Sequence, residues 1–130
     1  MYKAVTRQIM VKVRPEYLPD KSSPSDSRYV WAYHVRIENL GDSTVQLRSR
    51  YWRIIDAQGH MREVRGPGVI DQQPVLAPGQ HFEYASGLPL HTPSGIMVGT
   101  YQMESASGET FDVDIPAFSL DSPHQAKLLH

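Results

Sequence analysis

Between Tyr29 and Ile37 every second residue is large and apolar: Tyr29, Trp31, Tyr33, Val35 and Ile37, opposed by Ala32, His34, Arg36 and Glu38. A helix scatters these five around its circumference, whereas a strand gathers them on one side. β-Branched and aromatic side chains also suit a pleated surface. The same period of two runs through Val5, Ile9, Val11 and Val13, opposite Thr6, Gln8 and Lys12, and reads as one further strand. With 10 prolines and 9 glycines in 130 residues, long helices have no room to form. The period therefore predicts an all-β chain.

Turn chemistry divides it. Asn39-Leu40-Gly41-Asp42 ends the alternating segment, with Gly41 able to take positive φ. Thr44 to Leu47 continues into Arg50 to Ile55, and the parity slips between Leu47 and Trp52, as a bulge or burial on both faces would produce. Asp56-Ala57-Gln58-Gly59 predicts a hairpin into Met61 to Arg65. Further strands are expected at Gln80 to Ser86, Gly95 to Glu104 and Thr110 to Ile115, the last two joined by Ser105-Ala106-Ser107-Gly108. Seven or eight short strands, each with one apolar face to cover, predict an antiparallel sandwich of two sheets with Trp31 or Trp52 at its centre. Residues 20–27 are polar and rich in breakers and are expected as a flexible loop, and residues 119–130 as a loose tail.

Composition sets outer limits. At 130 residues the chain makes one domain. Hydrophobic residues at 40% supply a core, and charged residues at 21% with a net charge of −1 argue against disorder and against a broad nucleic-acid or polybasic membrane surface. No cysteine is present, which removes disulfides, thiolate metal sites and cysteine nucleophiles and suits a reducing compartment. No apolar run approaches the length that spans a bilayer, and a cytoplasmic protein is expected.

A long series of aromatic, glycine and proline positions carries a resemblance. It comprises Tyr51-Trp52-Arg53-Ile54 with Asp56 and Gly59, then Val64-Arg65-Gly66-Pro67-Gly68-Val69-Ile70. Pro74 to Gly79, Phe82, Tyr84 and Ser86 through Tyr101 follow, with Phe111, Ile115, Pro116 and Phe118 beyond them. In their order and spacing these resemble the ApaG (CorD) family. That resemblance implies a fibronectin-III or immunoglobulin-like sandwich in a bacterial protein, associated genetically with cobalt tolerance and magnesium efflux. It also implies a protein-interaction module with no catalytic activity and no cofactor.

Many members of that family carry Gly-x-Gly-x-x-Gly, a proposed pyrophosphate site; here the string is Gly66-Pro67-Gly68-Val69-Ile70-Asp71, with aspartate in the third glycine's place. A dinucleotide fingerprint needs a helix to open after the glycines, and Pro67, Pro74 and Pro78 forbid one. A nest of backbone N–H groups around Gly66 and Gly68, flanked by Arg53, Arg62 and Arg65, remains as a candidate for a weakly bound phosphate or nucleotide. The plainer alternative is a structural turn whose arginines cover apolar surface.

Other chemistry is poorly supported. The histidines at 34, 60, 81, 91, 124 and 130 show no ligand spacing, so no metal site is expected. Asp112 and Asp114 share a strand face best read as solvated. Ser86-Gly87 and Ser94-Gly95 lack the nucleophile elbow. The interleaving of Arg50-Tyr51-Trp52-Arg53 resembles a base-stacking surface, but the neutral charge and a core position for Trp52 argue against nucleic acid. One apolar stretch stands out: Leu88-Pro89-Leu90 with Thr92 is expected as a loop, either exposed to a protein partner or folded back as a lid. The sequence leaves monomer and homodimer equally open.

Overall fold

In the computed structural model, residues 1–124 are described, and they form nine strands in two antiparallel sheets. One sheet holds β1 (Tyr2–Thr6), β2 (Ile9–Tyr17), β3 (Tyr29–Asn39) and β7 (His81–Leu90), in the order β1-β2-β3-β7. The other holds β4 (Val45–Asp56), β5 (Met61–Pro67), β8 (Gly95–Ser105) and β9 (Thr110–Leu120), in the order β5-β4-β8-β9. The two-residue β6 (Val75–Leu76) pairs with the start of β4. This is the expected immunoglobulin/fibronectin-III-like antiparallel sandwich, with nine strands instead of seven or eight.

Alternation builds the core as the period predicted. Trp31, Val35 and Ile37 of β3 face Trp52 and Ile54 of β4, Tyr101 and Met103 of β8, and Ile115 and Phe118 of β9, all buried. Both tryptophans lie in this core, and Tyr33, Trp52 and Phe118 pack edge-on or tilted with ring centroids 5.5 to 6.1 Å apart.

Three local expectations are corrected. The Val5–Val13 run is not one strand: Arg7 and Gln8, at φ 48° and 66°, turn the chain between β1 and β2, and Val5 lies exposed. Both turn residues sit in the left-handed region without being glycine, so propensity gave no warning. Gly41 does not take positive φ. The Asn39 side-chain oxygen accepts the Gly41 N–H, and a Cβ on Gly41 would lie 3.0 Å from Gln8 Oε1. The segment expected as a loose tail is core as far as Leu120, which is fully buried. Beyond it the Asp121 carbonyl accepts the Trp31 indole N–H at 2.8 Å. Residues 125–130 lie outside the described part.

The 20–27 segment carries two single-turn 3₁₀ helices, Pro19–Lys21 and Pro24–Asp26, tied by a Ser22 hydroxyl that donates to the Leu18 carbonyl and accepts from the Val30 N–H. The expected bulge is present: the β4–β8 register shifts between Leu47 and Ser49, leaving Arg48 as the extra residue.

Candidate functional site

The bulge at Arg48 organises the glycine loop. Its carbonyl, released from the ladder, accepts the Gly68 N–H at 2.9 Å and the Gln73 side-chain N–H at 2.8 Å. The loop then closes on itself. Val69 and Gln72 exchange both backbone hydrogen bonds at 2.8 Å, and Ile70 and Asp71 form the turn between them at φ 42° and 63°.

Each glycine position has a structural reason. A Cβ on Gly66 would meet the Arg50 guanidinium at 3.0 Å, so the missing side chain makes room for Arg50. Gly68 sits at φ 60° with its Cβ direction 2.2 Å from the Gln72 carbonyl oxygen, a place no other residue fits. The third motif position, Asp71, is left-handed, a conformation aspartate tolerates better than most residues.

This geometry answers the nest expectation. The N–H groups of Gly68, Val69 and Gln72 each donate to a backbone carbonyl within the protein, so these three are not free for an anion. The arginines do not converge either. Arg62 and Arg65 are three residues apart on β5 and so project from opposite faces. Arg53 and Arg65 share the outer face, where the Arg65 guanidinium lies 4.1 Å over the Tyr51 ring and Tyr51 donates to Glu63 at 3.0 Å. Arg62 pairs in register with Ile54 on the other face.

The arginine that meets the loop is Arg50. It shares β4 parity with buried Trp52 and Ile54, and its Nη1 donates to the Pro67 and Gly68 carbonyls at 3.1 and 2.9 Å. In the sequence Arg50 stands out only within the Arg50-Tyr51-Trp52-Arg53 interleaving, apart from the three arginines expected at the loop. The signal for its role was parity with Trp52, combined with a glycine at the facing position of the next strand.

Arg50 opens onto a cavity of about 210 Å³ between the sheets, walled by Tyr33, Tyr84 and Ser86 from one, Trp52 from the other, and Val69, Ile70 and Asp71 from the loop. Behind it the Tyr84 and Tyr101 hydroxyls are hydrogen-bonded to each other. Burial pushes the phenol pKa values of Tyr33, Tyr84 and Tyr101 up, while the Arg50 charge pulls each slightly down. The Trp52 indole Nε1 is buried and has no acceptor among the described residues.

The apolar stretch expected as a loop is strand instead. Leu88 and Leu90 belong to β7, pair with Trp31 and Tyr29, and are buried; of the three, Pro89 alone is exposed. Thr92 is also buried: its hydroxyl accepts the Ala57 N–H at 3.1 Å and donates to the Ser94 carbonyl at 2.8 Å, joining two turns. The segment thus closes this end of the core and presents no docking patch of its own leucines.

Exposed apolar surface lies on the outer face of the β5-β4-β8-β9 sheet. In register across it run Met61, Ile55 and Ile96, with Met61 55% and Ile96 47% exposed. Among the described residues, no three His, Asp or Glu side chains gather as a metal site. His34 pairs with Glu16, and His60 with Asp56. Asp112 and Asp114 are exposed on β9. No helix is long and apolar enough to cross a membrane.

Fold and surface together define an immunoglobulin-like sandwich whose glycine loop is anchored by a core-facing arginine. The ApaG domain family model matches residues 19–105, and the chain is 63% identical over 130 residues to Protein ApaG of Parvibaculum lavamentivorans, covering 100% of both. It is 67% identical over 124 residues to Protein ApaG of Rhodospirillum centenum, covering 95% of each. A Bordetella pertussis crystal structure described under the name ApaA superposes with TM-score 0.87 at 49% identity, covering 90% of this chain and 95% of that one. The C-terminal domain of Wzt matches in fold alone, with TM-score 0.52 at 8% identity, over 98% of this chain and 88% of that one. The chain belongs to the ApaG family.

Proposed function

We propose that this protein is a non-enzymatic interaction module that works in the cytoplasm by presenting a rigid sheet face to a protein partner. The observation that carries the reading is the row Met61–Ile55–Ile96, exposed at Met61 and Ile96 and half-buried at Ile55 between them. Three apolar side chains aligned across adjacent strands form a contiguous patch, and solvent-facing apolar rows of this kind mark binding surfaces more often than idle ones. The flanking Arg53, Glu63 and Arg65 supply the polar rim that protein interfaces use for register. The association with cobalt tolerance and magnesium efflux enters here as part of the proposal: the module acts on metal homeostasis through its partner.

The test is a double variant, Met61→Glu with Ile96→Glu, whose circular dichroism and melting temperature stay close to wild type because both side chains are already solvated. Tagged wild type and variant are expressed side by side in the native cell and the bound proteins quantified. At least one protein retained by wild type should fall roughly tenfold or more in the variant, the loss of about 1.4 kcal/mol of binding. An identical bound set for the two sinks the reading. Sedimentation of both at rising concentration shows whether that partner is a second copy of the chain.

A further inference from the structure

The cavity beside the glycine loop carries an inference independent of the outer sheet face. It is lined by one cation, Arg50, and one anion, Asp71, and among the described residues neither takes part in an ion pair. Arg50 is fixed in place, because Nη1 is held by the Pro67 and Gly68 carbonyls and Gly66 leaves space for the guanidinium. Its Nη2 and Nε donate to no described group. The Asp71 backbone is fixed too, since it stands in a two-residue turn locked by the paired Val69 and Gln72 bonds, and its exposed side chain lies at the cavity rim. A cation and an anion thus line one space of about 210 Å³, each on a fixed stretch of backbone, without forming an ion pair.

The remaining walls are Tyr33, Trp52, Tyr84 and Ser86, which give aromatic surface and hydroxyl groups. Ligand chemistry follows from charge matching. A phosphate dianion satisfies Arg50 but is opposed by Asp71. A plain carboxylate satisfies Arg50 and leaves Asp71 unmatched, and an amine does the reverse. A molecule carrying both groups a few ångströms apart matches both at once.

We infer that Arg50 and Asp71 line a binding site for a small zwitterion, of which a free α-amino acid is the simplest, with its carboxylate on Arg50 and its ammonium on Asp71. Preformed walls lower the ordering cost, while the few atoms of such a ligand keep the attainable affinity modest.

The two indole N–H signals of uniformly ¹⁵N-labelled protein make the measurement. Trp52 lines the cavity, whereas Trp31 donates to the Asp121 carbonyl and serves as internal control. Alanine, acetate, methylamine and inorganic phosphate are titrated separately. Alanine should shift the Trp52 indole and the Asp71 amide with saturation while Trp31 stays still, and each of the other three should bind at least about tenfold more weakly. Asp71→Asn keeps the left-handed turn, because asparagine tolerates that conformation. It should weaken alanine about tenfold and leave acetate unchanged or tighter. Acetate or phosphate matching alanine overturns the assignment, as does an unaltered alanine affinity in Asp71→Asn or a Trp52 signal that never moves. The Met61→Glu and Ile96→Glu variant should bind alanine like wild type, so the docking proposal and this one fail separately.

Discussion

Trp31 and Trp52 occupy facing sheets of one core and are buried to the same degree, yet they are held differently. Trp31 has its indole N–H satisfied by the Asp121 carbonyl, and the neighbouring Gly87 is roomy: an added Cβ would come no nearer than 3.8 Å to the Trp31 carbonyl oxygen. Trp52 has an indole without an acceptor among the described residues, a cavity against it, and Gly99 jammed beneath it. The difference teaches that burial alone does not say which part of a core is finished. One end of this sandwich is closed by its own chain, and the other keeps polar groups and space in reserve.

The largest effect should come from the two glycines. A Cβ on Gly99 would lie 2.2 Å from the Tyr51 carbonyl oxygen and 3.0 Å from the Trp52 ring, so Gly99→Ala must push β8 off β4. It should cost about 3 kcal/mol or more, seen in urea denaturation. Gly87→Ala meets only ordinary contact and should be neutral or stabilise by up to about 1 kcal/mol. Equal losses for the pair would erase the contrast.

Next come the tyrosine hydroxyls beside Trp52. Tyr84→Phe and Tyr101→Phe each strand a buried hydroxyl and should cost about 1–3 kcal/mol, whereas the double variant should lose less than the sum of the two. Their pH dependence has a definite sign. Burial raises these phenol pKa values in the folded state, so folding favours the neutral form. Stability from this source is intact below the unfolded value near pH 10 and declines as pH rises beyond it, while native Tyr84 and Tyr101 stay protonated. Denaturant midpoints that hold constant from pH 9 to 11 in wild type would contradict this.

The tryptophans themselves give a smaller and sharper test. Both Trp31→Phe and Trp52→Phe lose volume, but only the first loses an indole hydrogen bond to a described residue. Trp31→Phe should therefore be the more destabilising, by about 1 kcal/mol. The smallest effect belongs to the first hairpin. Gln8→Gly relieves a φ of 66° and should stabilise by about half a kcal/mol or leave stability level, by thermal melts.

Much of the architecture was legible because it rests on parity. The alternation in 29–37 and the bulge after Leu47 were readable from side chains alternating across a pleat, and the Asp56–Gly59 hairpin from its turn residues. The Arg7–Gln8 turn was not, because neither residue advertises positive φ and the parity of Val5 continued across the break. Leu88 and Leu90 were read as loop because Pro89 lies between them. A proline is tolerated on an edge strand, and β7 is one. The site was least legible. Gly66 and Gly68 look like a phosphate motif in one dimension, and only the pairing of β4 with β5 shows that one of them makes room for an arginine sixteen positions upstream.

The first and last strands also touch: the Thr6 hydroxyl accepts the Asp114 N–H at 3.1 Å, and Val113, Ile115, Phe118 and Leu120 of β9 complete the interior. A chain made only as far as β8 therefore holds a sandwich that lacks one edge strand, with the part of its interior that β9 covers open to water. The interior is complete only once β9 has been made and docked, and until then the nascent chain is the form most in need of a chaperone.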